Sequence, residues 1–272
     1  MGLGRCGALM PEGHTLHRAA RDQRPLLTGH AVTVSSPQGR FEAGAQLLNG
    51  RQCLAVEAWG KHLLYRFEGE LTLHIHLGLF GRFRRQRQPA AEPRGAVRVR
   101  LEGPTHAIDV NGPTACEVLT PDEVHALCAR LGADPLREDA DSARAYARIA
   151  RSRSALGLLL MDQSVIAGIG NIYRTEILWR QRLHPLQPGN TLSAEAFHAL
   201  WADACALLAL GVERNAIVTV PHALPARSRY RERVNIFGKE NCPACAAPIQ
   251  RFLLATRKVY ACEQCQPPPI AA

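Results

Sequence analysis

Hydrophobic and polar positions along the chain change their period once, near residue 120. Between Ala31 and Val118 the apolar residues fall in short, β-branched or alternating runs that stop at Gly, Pro or Asn. This pattern predicts strands over Ala31–Ser35, Gln52–Glu57, His62–Phe67, Leu71–Leu77, Ala96–Leu101 and Ala107–Val110. One helix precedes them, Gly13–Gln23, entered through a Pro-Glu pair that suits a first helical turn and the positive end of the helix dipole. From Pro121 the spacing becomes helical. Thr120 with Glu123 three residues on is a capping-box signature for a helix over Pro121–Leu131. Helical patterns then recur at Ser142–Ile149, Ser154–Gln163, Ile172–Gln181 and Ser193–Leu210. Gly132–Asp141 (GADPLREDAD) reads as a linker and Arg227–Arg233 as a basic loop, and no internal repeat is present. The order predicts an α+β multi-domain chain: a β-rich half, a helical half and a small tail.

The tail carries the strongest chemical signal. Cys242-x2-Cys245, then sixteen residues, then Cys262-x2-Cys265 places two thiolate pairs on two knuckles, the donor set of a closed tetrahedral zinc site. Ile249–Leu254 and Thr256–Ala261 alternate well enough to form a hairpin between them. A module this small has too little core to fold without its metal, so one structural Zn2+ is expected, with no open position for chemistry. Arg251, Arg257 and Lys258 lie in the hairpin. On their own they read as a solvated face, and beside nucleic acid Arg257 is placed to fork onto a phosphate.

Composition narrows the class. The 272 residues carry 33 Lys+Arg against 24 Asp+Glu, a formal net charge of +9, which points to a polyanionic partner such as nucleic acid or, more blandly, to solubility alone. With 46% hydrophobic residues a wholly disordered chain is excluded. Nine cysteines, an odd number, argue against a secreted disulfide scaffold. No apolar run reaches the ~20 residues of a membrane span, and Met1–Met10 (MGLGRCGALM) lacks the apolar core of a secretory signal. The expectation is a soluble protein of a reducing compartment, the cytoplasm.

Two further motifs have a bland and a chemical reading. Gly168-Ile169-Gly170-Asn171 closes one helix pattern and opens another, which suits a tight interhelical turn or a phosphate held by backbone amides and Asn171. Pro11-Glu12 is an ordinary helix start if Pro11 is internal. If Met10 is the initiator and is removed, Pro11 becomes a free secondary amine, with the reference pKa of about 7.7–8.0 of an α-amino group, beside a carboxylate able to move protons.

Five motifs in order, Pro11-Glu12-Gly13, Gly60-Lys61-His62-Leu63-Leu64, His76-Leu77-Gly78, Asp162-Gln163 with Ala167-Gly168-Ile169-Gly170-Asn171-Ile172-Tyr173, and the four-cysteine tail, closely resemble the bacterial formamidopyrimidine-DNA glycosylase/endonuclease VIII family. The resemblance runs from Pro11 to about Gln266 and implies a β-sandwich over 11–131, a helix-two-turn-helix domain over 132–226 and a β-hairpin zinc finger over 227–268, with residues 1–10 a non-native extension. It implies a monomeric base-excision repair enzyme acting on damaged double-stranded DNA, a bifunctional glycosylase and abasic-site lyase that extrudes the damaged nucleotide. Carried over, Pro11 attacks the sugar C1′, Glu12 protonates the opening sugar, and Lys61 contacts a phosphate and assists. Asn171, Arg257 and His76 grip the backbone, and Leu79 and Phe80 fill the gap left by the extruded base or, alternatively, belong to the core. The chain departs from the family at His14-Thr15, where many members have Pro-Glu, and near Asn111-Gly112, where formamidopyrimidine-type enzymes place an Arg and a Phe. The first leaves the role of a second acidic residue unfilled or moved and the second weakens the oxidised-purine reading, while Pro11-Glu12-Gly13 and Leu79-Phe80-Gly81 look more like the endonuclease VIII branch, which prefers oxidised pyrimidines. A non-catalytic DNA-binding protein is the third alternative, should Pro11 not be N-terminal.

Overall fold

The structure is a computed structural model that describes residues 11–220 and 228–269. The expected extension over residues 1–10 therefore lies outside the described residues. Two compact units are present, one ending at Arg130 and the other beginning at Leu131.

In the first unit, helix α1 (Gly13–Leu27) is followed by β1 (Thr33–Ser35), α2 (Glu42–Leu48), β2 (Cys53–Trp59), β3 (His62–Phe67), β4 (Leu71–His76), β5 (Arg82–Arg87), β6 (Val97–Glu102), β7 (His106–Asn111), β8 (Ala115–Leu119) and α3 (Pro121–Ala129). The strands form two four-stranded antiparallel sheets, ordered β1-β6-β7-β5 and β2-β3-β4-β8, which pack as a β-sandwich. Alternation decides the inner face. Leu63, Tyr65 and Phe67 of β3 and Leu73 and Ile75 of β4 meet Val99, Leu101, Ile108 and Val110 of the other sheet. Leu16, Ala19, Ala20 and Leu27 of α1 join this core, and α1 packs on β2 and β3. Leu64 breaks the alternation because α3 covers the outer face there, burying Leu64 with Val124 and Leu127. The capping box predicted at α3 forms: Glu123 N–H donates to Thr120 Oγ1 and Thr120 N–H donates to Glu123 Oε2.

The second unit holds α4 (Ser142–Ile149), α5 (Leu156–Leu159), α6 (Asn171–Arg180), a single 3-10 turn (Gly189–Thr191), α7 (Ala194–Arg214), α8 (Tyr230–Arg233) and the hairpin β9 (Gln250–Leu254) and β10 (Arg257–Ala261). Ile149, Leu156, Ile166, Tyr173, Ile177, Phe197, Leu200 and Leu208 form its main core. Helix α7 is long and apolar enough to cross a membrane by length and composition. It reads instead as a core helix: Phe197, Leu200, Ala204 and Leu208 are buried in that cluster, and its Asp203 takes a bidentate ion pair from Arg180.

Several elements differ from the periodicity reading. Strands β5 and β8 and helix α2 lie outside it, and α8 occupies part of the expected basic loop; β5 (RFRRQR) has one apolar residue and exists because β7 supplies a full ladder for it. The helix expected over Ser154–Gln163 shortens to α5, whose first amides, orphans at any helix start, find acceptors outside it: Leu156 N–H donates to Gln187 O at 2.7 Å and Gly157 N–H to Pro185 O at 2.9 Å. At its other end Asp162 Oδ1 accepts from the Ser164 N–H and hydroxyl and turns the chain.

Candidate active site

Pro11 is half-buried, and Glu12, at 1% exposure, is the N-cap residue of α1 in extended conformation. The Thr15 N–H closes the first turn onto Glu12 O at 2.9 Å, which leaves the Glu12 carboxylate at the positive end of the helix. Burial holds the imidazole of His14 down to about 4, with the nearby His17 adding repulsion, so His14 is neutral at working pH.

Lys61 sits at the tip of the β2–β3 hairpin, where Trp59 pairs with His62 across a two-residue turn that Gly60 enters at φ +57°. Around it lies a polar chain that sequence reasoning missed. Glu117 Oε1 accepts from His74 Nδ1 at 2.9 Å, and His74 Nε2 lies 2.8 Å from His62 Nδ1. With the carboxylate fixing the His74 tautomer, His62 Nδ1 is the donor to His74 Nε2. The His62 ring lies 5.0 Å from that of His74, stacked, and 4.9 Å from that of His76, tilted. Burial, then repulsion from His74, His76, Arg130 and Lys61, pushes His62 down to about 3; His76 is lowered by the same burial and by His74 and Lys61. His76 Nδ1 accepts the Gly78 N–H at 3.1 Å, so the neutral ring presents its Nε2 as a donor, suited to an anionic oxygen. The signal was in principle readable: His74 and His76 share one face of β4, and the register sets His62 opposite His76.

Beyond His76 the chain makes a tight turn. Gly78 has φ +64° and a Cβ there would meet Thr114 Oγ1 at 1.8 Å, so only glycine fits; Gly81 N–H closes the turn onto Leu77 O at 3.0 Å. Leu79 and Phe80 project from it at 39% and 81% exposure, outside the core.

In the second unit, Gly168 at φ +97° and the extended Gly170 deliver the chain to α6, which starts at Asn171 without a side-chain cap. Asn171 Nδ2 donates to Lys258 O on β10 at 3.2 Å, and the buried Arg174 guanidinium donates to Asn171 Oδ1 and to Gly157 O. The structure thus brings Asn171 against the backbone beside Arg257, which opens β10 after a turn through Ala255 at φ +52°. Glu176, fully buried on α6, accepts five hydrogen bonds, from Thr219 Oγ1, the Asn235 N–H and Nδ2, and the Ile236 and Phe237 N–H groups, at 2.5–3.0 Å. It ties α6 to the segment that leads into the cysteine hairpin, and nothing in the sequence pattern marked it.

The four cysteines converge. Cys242, Cys245, Cys262 and Cys265 place their sulfurs within 4.8 Å of one another, with Cys242–Cys265 at 3.8 Å and Cys245–Cys262 at 3.4 Å. These separations exclude disulfides, whose sulfurs lie at about 2.05 Å, and approach the edge of about 3.8 Å of a thiolate tetrahedron around a zinc at about 2.3 Å. All-sulfur donors and closed geometry fit a structural metal ion.

A β-sandwich, a helical unit entered through a glycine turn, and a four-cysteine hairpin define a class that comparison identifies. Residues 10–113 match the formamidopyrimidine-DNA glycosylase N-terminal domain, and residues 131–221 match the formamidopyrimidine-DNA glycosylase H2TH domain. A Mycobacterium tuberculosis protein named Endonuclease 8 1 is 44% identical over 267 residues, covering 94% of this chain and 100% of that protein. The formamidopyrimidine-DNA glycosylase of Thermus thermophilus is 32% identical over 277 residues, covering 94% and 98%. The fold matches a Lactococcus lactis enzyme of that name in complex with DNA containing an abasic site, at TM-score 0.79 and 22% identity over 94% of this chain and 100% of that one. The chain belongs to the formamidopyrimidine-DNA glycosylase/endonuclease VIII family.

Proposed function

We propose that the protein is a bifunctional DNA glycosylase and abasic-site lyase of base excision repair, acting as a monomer on damaged double-stranded DNA in a bacterial cytoplasm, with oxidised pyrimidines as its substrates. The observation that carries the reading is Pro11-Glu12 at the start of α1, within a family match that begins at residue 10. The working parts are a sandwich over 11–131, a helical DNA-binding domain over 132–226 and a finger over 227–268, and the active enzyme begins at Pro11, without residues 1–10.

With Pro11 N-terminal, its secondary amine attacks C1′ of the damaged nucleotide. As the bond from Pro11 forms, the glycosidic C1′–N bond breaks, and the base leaves with its electron pair and takes up the proton that the Pro11 nitrogen loses. Glu12 donates a proton to the ring oxygen as the sugar opens, which leaves an iminium between Pro11 and C1′. The iminium draws electrons from C2′: loss of a C2′ proton expels the 3′ phosphate, and a second elimination expels the 5′ phosphate. Lys61 and the Nε2 donor of His76 bind phosphate oxygens at the lesion, and Asn171 and Arg257 hold the backbone in the second unit. Leu79 and Phe80 occupy the space of the extruded base. Cys242, Cys245, Cys262 and Cys265 hold one Zn2+, which fixes the hairpin carrying Arg257 and takes no part in the chemistry.

The resemblance to enzymes named for formamidopyrimidine, at 32% identity, supports oxidised purines as the second reading. Borohydride trapping separates the possibilities. A chain beginning at Pro11 should form a covalent adduct, mapping to Pro11, with thymine-glycol DNA in preference to oxoguanine DNA. Pro11→Gly should lower the yield at least a hundredfold, and a chain retaining residues 1–10 should give none. A preference for oxoguanine would transfer the assignment to purines; no adduct with either lesion would leave a DNA-binding protein without this chemistry.

A further inference from the structure

Strand β5 reads RFRRQR, and its four arginines, Arg82, Arg84, Arg85 and Arg87, are all exposed. It is an edge strand, paired only with β7. Charged residues on an edge commonly block strand addition. Here none of the four has an ion pair among the described residues, although a carboxylate is at hand. Arg84 stands directly opposite Asp109, but Asp109 is already filled by Arg100 at 2.6 and 3.0 Å and by Gln86 at 3.2 Å. The remaining cross-strand partners are Asn111, Ile108 and His106. Phe83, packed against the sandwich core, fixes the strand between its arginines. Arg82 and Arg84 share one face of the pleat and Arg85 and Arg87 the other, the face of Phe83, and all four are exposed, with stems long enough to reach a ligand along the free edge.

Position adds the second argument. β5 leaves the turn that carries Phe80, the most exposed large apolar side chain among the described residues at 81%. A basic strand joined directly to an exposed aromatic ring suits a nucleic acid: the ring meets bases and the guanidiniums meet phosphates as bidentate donors. Five residue steps at about 3.4 Å carry the strand some ~17 Å from the turn, or about five base pairs of duplex at 3.4 Å each.

We infer that β5 is a second, lesion-independent DNA contact, an arginine rail that binds the phosphate backbone of the duplex flanking the damaged nucleotide. This rests on the reading of the protein as a DNA enzyme and extends its footprint along one side of the lesion.

Salt dependence tests it, because each phosphate neutralised contributes about 0.9 to the slope of log affinity against log salt. The probes are an undamaged duplex and one carrying a reduced abasic site, bound by the full-length protein with its metal. The quadruple variant Arg82→Gln, Arg84→Gln, Arg85→Gln, Arg87→Gln should flatten the slope by about 2 to 4 on both probes and weaken binding at low salt at least tenfold. Shortening the duplex to a few base pairs on one particular flank should erase the difference between variant and wild type. The two double variants, Arg82→Gln with Arg84→Gln and Arg85→Gln with Arg87→Gln, should each give about half the change, which guards against misfolding of the quadruple. An unchanged slope overturns the rail, as it would if the strand seats an acidic polypeptide instead. Because the undamaged duplex needs no chemistry, a failure of borohydride trapping would sink the glycosylase reading while leaving this measurement decisive for β5.

Discussion

Twenty-two buried apolar residues, from Leu16 to Val110, pack together in the sandwich among the described residues, whereas the cluster at the cysteine hairpin has five, and three of those are cysteines. Ile236 and Ile249 are the only other members, with Trp179, Ala247 and Tyr260 packed against them. The sandwich can stabilise itself by removing apolar area from water, at about 25 cal/mol per Å2. The hairpin cannot, and in the proposed zinc-bound form bonds between sulfur and metal supply what it lacks in core. The two regions therefore differ in what would break them, although both present DNA-facing residues in the proposed mechanism.

The largest effect should come from withdrawing the metal. Structural zinc sites contribute on the order of 10 kcal/mol or more to the folding of such modules. A strong chelator, or Cys262→Ser, should abolish protection from hydrogen exchange over β9 and β10 and weaken DNA binding through the loss of Arg257 and of the contact between Asn171 and Lys258. Protection of β3 and β4 should persist. A sandwich that unfolds in step with the hairpin would show that their stabilities are not separate.

Next is Glu176, which links helix α6 to the segment entering the hairpin. Glu176→Ala removes the acceptor of five hydrogen bonds; Thr219 Oγ1 and Asn235 Nδ2 keep Arg233 O and Thr219 O, while the N–H groups of Asn235, Ile236 and Phe237 lose their partner, and breaking one side of such a network costs about 3–5 kcal/mol. Urea unfolding followed through residues of the second unit should shift by that amount. A change under about 1 kcal/mol would mean that water replaces the carboxylate.

Acid should act in the opposite sense, on the sandwich. His14 and His62 are pushed down to about 4 and about 3 by burial, so below pH 6.5 the unfolded chain binds protons that the folded unit refuses. Their contribution to stability is whole above pH 6.5 and is lost as pH falls toward those values, reaching at most about 2 kcal/mol per histidine at pH 5. Protection of β3 and β4, measured by hydrogen exchange from pH 7 to 5, should fall, and His62→Gln should flatten the loss. A flat profile in the wild type would show that His62 is charged or solvated in the folded unit.

What the sequence disclosed follows the range of the interactions involved. β3 was bounded correctly because alternation is local, and the Thr120–Glu123 box because it spans three residues. The cysteine pairs were legible because metal geometry dictates their spacing. The His62–His74–Glu117 chain was not, since it joins residues 12 and 43 positions apart and needs the register of three strands. Nor was the grip of Arg174 and Lys258 on Asn171, which closes over 87 residues. β5 was missed for a different reason: its four arginines hide the apolar alternation that identifies a strand. The residues proposed for chemistry were picked out by motif, and the side chains that hold them in place had to be seen.

The smallest effect on stability is expected at Phe80. An 81% exposed ring has little area to lose, so Phe80→Ala should change unfolding of the sandwich by no more than about 0.5 kcal/mol. Leu73, fully buried two strand positions before Ile75, sets the contrast: Leu73→Ala in the same unit should cost about 2–5 kcal/mol. If Phe80 fills the space of an extruded base, its removal should nonetheless weaken binding to a duplex carrying a reduced abasic site while leaving affinity for undamaged duplex nearly unchanged. Equal losses on both would make Phe80 part of the general basic surface of β5 and not a probe of the lesion. An exposed aromatic side chain that is neutral for folding and selective for damaged DNA is one that the chain maintains for its ligand.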